Sequence, residues 1–116
     1  MKKFDCTLYY DEDLILDLRL NILNKYFDKF IICEAKYTHS GREKKLNFDI
    51  KKFSQFKSKI EYIVQENEPD NIIYNMEKEK KFEEFVNYRI NSVRRIAHQR
   101  NKIFERFKAW SRNTLL

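Results

Sequence analysis

The chain has 116 residues, 42% of them hydrophobic and 16% aromatic, with ten Phe and seven Tyr. That apolar share is enough for a packed core and excludes disorder by composition, and the length suits a single domain over residues 1–116. The formal net charge of +6 gathers at one end: residues 1–88 carry 16 Lys/Arg against 17 Asp/Glu, and residues 89–116 carry 8 against Glu105 alone.

Phe4, Cys6, Leu8 and Tyr10 alternate with Lys3, Asp5, Thr7 and Tyr9, and a period of two predicts a strand near residues 3–9 with one face in the core. Asp11-Glu12-Asp13 opens a helix over residues 12–27: Asp11 can cap it, and acidic side chains suit the positive end of the helix dipole. Its apolar set, from Leu14, Ile15 and Leu16 through Leu18, Leu20, Ile22 and Leu23 to Tyr26 and Phe27, covers more than one stripe and predicts a largely buried helix. Phe30-Ile31-Ile32-Cys33 is a continuous apolar run, the mark of a central parallel strand near residues 29–34. Strand, helix and strand in this order make a right-handed βαβ unit.

Residues 36–48 are polar, hold the one Gly and read as a loop. Asp49 caps a second predicted helix reaching about Lys59, with Ile50, Phe53, Phe56 and Ile60 at helical spacing, and residues 60–65 form a third strand. A turn cluster follows at residues 67–71. The charged stretch Met76–Lys81 then leads into a long helical pattern carrying Phe82, Phe85, Val86, Ile90, Val93, Ile96, Ile103, Phe104 and Phe107. The fold expectation is α/β: a partial Rossmann-like parallel sheet, β-α-β-α-β, followed by a long C-terminal helical region. In such sheets ligands bind beyond the carboxyl ends of the strands, here Tyr9–Glu12, Glu34–Gly41 and Gln65–Asn67.

Cys6 and Cys33 sit in β-like apolar runs without metal-ligand spacing, and read as small buried hydrophobes in a reducing compartment. Met1-Lys2-Lys3 is followed by Asp5, not by the apolar core of a signal peptide, and no window approaches a membrane span of about 20 apolar residues. The chain therefore reads as soluble and cytoplasmic. One Gly and one Pro are few for a self-contained α/β domain, which hints at an incomplete or unusually helical chain.

Phe4-Asp5-Cys6-Thr7-Leu8-Tyr9-Tyr10-Asp11-Glu12, the helix residues Leu18-Arg19-Leu20-Asn21, Asp28-Lys29-Phe30-Ile31-Ile32-Cys33-Glu34-Ala35 with Thr38-His39-Ser40-Gly41, and His98-Gln99-Arg100-Asn101 follow one another along the chain. Together they resemble the N-terminal region of family 17 glycosyltransferases, the bisecting β-1,4-N-acetylglucosaminyltransferases and their bacterial and viral relatives. The resemblance implies a GT-A fold and a nucleotide-sugar donor, UDP-N-acetylglucosamine, with a glycan hydroxyl as acceptor. It also implies a divalent metal, Mn or Mg, on an Asp-x-Asp element in the full-length enzyme. No Asp-x-Asp follows the Gln99-Arg100-Asn101 segment, so the chain is expected to stop short of that element and to bind no metal itself. Asp11-Glu12-Asp13 lies at a helix start, where capping explains it better.

Candidate donor-binding residues are Glu34, Thr38, His39, Ser40, Gly41, Gln99, Arg100 and Asn101. Glu34, at a strand end, either meets a sugar or ribose hydroxyl or holds the following loop, or pairs with Arg19. The Thr38 and Ser40 hydroxyls bond substrate or the loop backbone, and Gly41 supplies a positive-φ turn. Arg100 suits a diphosphate because its fork meets two oxygens and stays charged, against the plainer reading of a solvated basic face. Asp5 and Arg19 read as a structural ion pair. A second function class is a small basic nucleic-acid-binding module that tracks phosphates with the helix of residues 89–112. The basic residues there do not share one face, which favours the enzyme.

Overall fold

A computed structural model describes residues 2–74 and the backbone of 81–114, with side chains in the last helix described for 82–106 and Lys108. Its centre is β2, Lys29–Ala35, whose apolar run is covered on both faces. β1, Phe4–Tyr9, lies on one side of it and β3, Ile60–Gln65, on the other, giving a three-stranded sheet in the order β1-β2-β3. Both pairings are parallel, with Phe4 opposite Lys29, Tyr9 opposite Glu34, and Ala35 opposite Gln65. The α/β reading with parallel neighbours holds, and the three carboxyl ends open together on one side.

Alternation along β2 divides the core. Phe30 and Ile32 face a cluster with Tyr9, Leu16, Leu20, Phe53 and Phe56. Ile31 and Cys33 face the other way, onto Ile63 and Ile103. The first layer comes from α1, Asp13–Leu23, and a 3-10 segment, Ile50–Phe56; the second comes from α2, Lys81–Thr114. The basic C-terminal helix thus folds back against the sheet through Ile103, with Ile96 half-buried beside it; Phe107 lies outside the described side chains.

Four local expectations change. α1 ends at Leu23, and only Leu16 and Leu20 of it are buried, while Leu14 is 83% and Leu18 59% exposed. One i, i+4 pair suffices to dock an 11-residue helix on a sheet, so the rest of its apolar set stays outside. Asp11 does not cap α1: Glu12 is the cap residue without a side-chain cap bond, and its Oε2 instead accepts from the backbone N–H groups of Tyr10 (2.8 Å) and Asp11 (3.2 Å).

The second helix is a 3-10 segment broken at Phe53, where φ is −124° and ψ 32°. Asp49 does cap it, accepting from Lys51 N. The break lets both Phe53 and Phe56 enter the core, with Phe53 stacked on Phe48 at 5.7 Å. In β1 the buried positions are Asp5 and Tyr9, and Cys6 is exposed rather than buried. The reason is chemical: Arg19 on α1 donates twice to Asp5, each bond at 2.6 Å, and draws that carboxylate inward. The Asp5–Arg19 ion pair is present as expected.

Candidate functional site

Because all strands run parallel, the loop after β2 and the start of α1 meet at one end of the sheet, and α2 crosses close by. They enclose a cleft of about 540 Å³ lined by Tyr10 after β1, Glu12, Tyr37, Thr38, His39, Ser40, Arg42 and Lys44 of the loop, and Gln99 of α2.

Glu34 builds the loop. It is fully buried, and its two oxygens accept from Lys44 Nζ (2.6 Å), Asn47 N (2.6 Å), Phe48 N (3.0 Å) and the Tyr62 hydroxyl (2.7 Å). Burial by itself would raise its pKa, but the donated bonds outweigh burial and hold the carboxyl below the ordinary carboxylate range. The same contact works the other way on Tyr62, whose phenol is raised by burial and by its bond to Glu34. All of Glu34's capacity is used inside the chain, so it is the anchor of the loop that carries the cleft.

The loop itself is a tight reversal. Lys44 N bonds Lys36 O (2.8 Å), Thr38 N bonds Arg42 O (2.8 Å), and Thr38 Oγ1 accepts from Arg42 N (3.0 Å) while meeting Ser40 Oγ at 2.8 Å. Gly41 turns the chain at φ 93°, as its position in the sequence implied. α2 clamps the reversal from outside. Arg95 pairs with Glu68 (2.9 Å) and donates to the carbonyl of His39 (3.1 Å), lying directly over Gly41. Gln99, buried, donates to the Cys33 carbonyl at 2.9 Å and meets His39 Nε2 at 3.3 Å. Burial also pushes the Cys33 thiol up to about 12, which leaves it inert at neutral pH.

A Cβ at position 41 would sit 2.4 Å from Arg95 Nη2. The guanidinium can move, but the left-handed φ cannot be relieved. Gly41→Ala is expected to lower stability by about 1–2 kcal/mol and to speed amide exchange in residues 38–42, read by urea unfolding and hydrogen exchange.

The eight candidates therefore separate. Thr38, His39, Ser40 and Gln99 line one cleft; Glu34 and Gly41 shape it from behind. Arg100 is exposed and lines a neighbouring cleft of about 490 Å³ with Cys6, Thr7, Arg19 and Phe104; Leu8 belongs to both clefts. Asn101 is exposed and lines neither. Adjacent positions on a helix point about 100° apart, and here Gln99 and Arg100 line different clefts. Sequence reading overlooked Tyr10, Tyr37, Arg42 and Lys44, although Tyr37, Arg42 and Lys44 fall within the polar loop already placed at a strand end.

Among the described residues, the other basic side chains of α2 do not form one exposed stripe. Arg95 pairs with Glu68 and Arg106 with Glu61, Arg94 bonds the Asn71 carbonyl, and Arg89 lies over the Phe85 ring at 5.8 Å. The Asp11-Glu12-Asp13 run is also engaged: Asp13 takes the Tyr9 hydroxyl and Lys52, and its carboxyl is lowered first by the Tyr9 bond. Among the described residues no group of three or more His, Cys, Asp or Glu side chains is placed to hold a metal ion.

The sequence model of glycosyltransferase family 17 matches residues 1–102, which include every residue of the cleft. The chain belongs to glycosyltransferase family 17. No curated protein and no solved structure matches it. Membership in this family means a sugar donor and an acceptor, and among the described residues no helix is long and apolar enough to cross a membrane.

Proposed function

We propose that the cleft binds a nucleoside-diphosphate sugar, UDP-N-acetylglucosamine, whose sugar the family 17 enzyme transfers to a glycan hydroxyl. The observation that carries this reading is the convergence, at the carboxyl ends of a parallel sheet, of three kinds of group in one cleft. Tyr10 and Tyr37 offer aromatic faces to a base; Thr38 and Ser40 offer hydroxyls; Arg42 offers a guanidinium to the diphosphate. Arg42 has no acidic partner among the described residues, whereas Lys44 is already committed to Glu34. Transfer breaks the bond from the sugar's anomeric carbon to the diphosphate oxygen, and charge grows on that oxygen as it leaves. A cation held beside it stabilises the charge. Two free thiols, Cys6 and Cys33, fit the cytoplasmic setting proposed here.

Titration calorimetry of the 116-residue chain with UDP-N-acetylglucosamine tests this reading. Binding is expected, weakened about fivefold by Arg42→Ala, the loss of one exposed charge-assisted contact. Absence of binding would sink it. The nucleic-acid alternative is met by a salt titration on duplex and single-stranded oligonucleotides. With Arg95 and Arg106 paired in the chain, a steep salt slope reporting several released counterions is not expected.

A further inference from the structure

We infer that the outward face of α1 is a self-association surface, which docks antiparallel on the same face of a second copy of this chain with Leu18 at the two-fold axis. The inference stands on α1 itself and does not depend on the ligand proposed for the cleft.

α1 is apolar on two opposite sides. Leu16 and Leu20 enter the core, at 3% and 1% exposure. At 100° per residue Leu18 lies about 160° from both, so it faces away from the sheet. Leu14, Ile15 and Ile22 fall within about 60° of Leu18 and form one stripe with it. Exposure along the stripe is 83% at Leu14, 66% at Ile15, 59% at Leu18 and 56% at Ile22. The buried pair already docks the helix on the sheet, so the stripe adds nothing to that contact. Single exposed apolar residues are ordinary on a surface, whereas a contiguous apolar patch marks an interface.

The charges at its ends say what covers it. Asp11 stands seven residues before Leu18 and Lys25 seven after, each exposed and each just beyond an end of the helix. Among the described residues neither takes part in a salt bridge. In an antiparallel pair centred on Leu18, positions equally far from it on opposite sides face each other. Leu14 then meets Ile22 of the second copy, Leu18 meets Leu18, and Ile15 packs beside Ile22. Asp11 meets Lys25 at both ends. A parallel pairing would oppose Asp11 to Asp11 and Lys25 to Lys25. The face therefore complements itself in apolar contact and in charge, as a two-fold dimer requires. A lipid surface has no use for an acidic end and a basic end placed at equal distances from the centre.

An 11-residue helix is about 17 Å long, so the contact is smaller than a standard interface and the dimer is weak, with a Kd on the order of 100 µM. Sedimentation equilibrium of the 116-residue chain from about 10 to about 500 µM should show dimer growing in; monomer throughout overturns the inference. Leu18→Lys sets two ammonium groups face to face at the axis and should weaken association at least about tenfold. The urea midpoint of the dilute monomer should stay where it is. Undiminished association of that variant would mean that another face is used. Asp11→Lys and Lys25→Asp, both outside the helix, should each weaken the dimer about fivefold by opposing like charges at both ends. The double exchange should restore it, and a double variant as weak as the two single ones overturns the antiparallel register. Sedimentation with phosphatidylcholine vesicles, without self-association, would assign the face to a lipid surface and overturn the second copy as its occupant.

Discussion

Glu34→Ala is expected to remove about 3–5 kcal/mol of unfolding free energy, the usual result of breaking a buried pair by deleting one partner. The substitution leaves the Lys44 ammonium, whose side chain is 9% exposed, without its counter-charge and strands the backbone N–H groups of Asn47 and Phe48. Against a typical total of about 5–15 kcal/mol, a loss of that size should show as a large drop in the urea midpoint. Glu34→Gln keeps the shape but turns an amide N–H₂ toward donors, so an intermediate loss is expected.

The pH dependence separates charge from shape. Glu34 is held below the ordinary carboxylate value despite its burial, because Lys44, Asn47, Tyr62 and Phe48 all donate to the ionised form. Its contribution to stability is therefore full above the unfolded pKa of 4.5 and is lost as pH falls through the lower folded value. Urea unfolding across the acid limb should show the wild type losing stability on acidification, and Glu34→Gln should follow a flatter limb. Identical limbs would show that the carboxylate is not the group being protonated.

A second large effect is expected along α1. Leu16→Ala and Leu20→Ala should each destabilise by about 2–5 kcal/mol, the range for emptying a buried leucine site. Leu14→Ala and Leu18→Ala should stay within about 0.5 kcal/mol, as exposed positions do. The burials behind this contrast are 3% and 1% for Leu16 and Leu20, against 83% and 59% for Leu14 and Leu18. Equilibrium unfolding of the four variants checks it, and the reverse ranking would mean that α1 docks by its other face.

How much of this could be read from the residues themselves varied with distance along the chain. Phe30-Ile31-Ile32-Cys33 announces a central strand because both faces of a parallel strand must be apolar, a condition visible in four consecutive letters. The Asp5–Arg19 pair was also legible, since opposite charges in otherwise apolar elements have few alternatives to each other. The cleft was half legible. Thr38, His39 and Ser40, with Tyr10 on the neighbouring strand end, fall where parallel sheets place their ligands. Gln99 was a candidate through the family resemblance, but nothing local showed that Gln99 would join them and Arg100 would not.

Order and type of the strands, the loop that follows β2 and the family were determined by the sequence alone, because periodicity, run length and short motifs are properties of neighbouring residues. Tertiary structure alone decided which face of α1 is buried, that Glu34 anchors a loop instead of facing the cleft, and that Arg100 parts company with Gln99. Each of those outcomes depends on groups far away in the chain: Lys44 and Tyr62 for Glu34, and Cys33 for Gln99, 66 residues distant. A buried polar group must be satisfied by whatever the fold brings within reach, and a helix face is chosen by the surface it meets. Neither condition is written in the local pattern of residues.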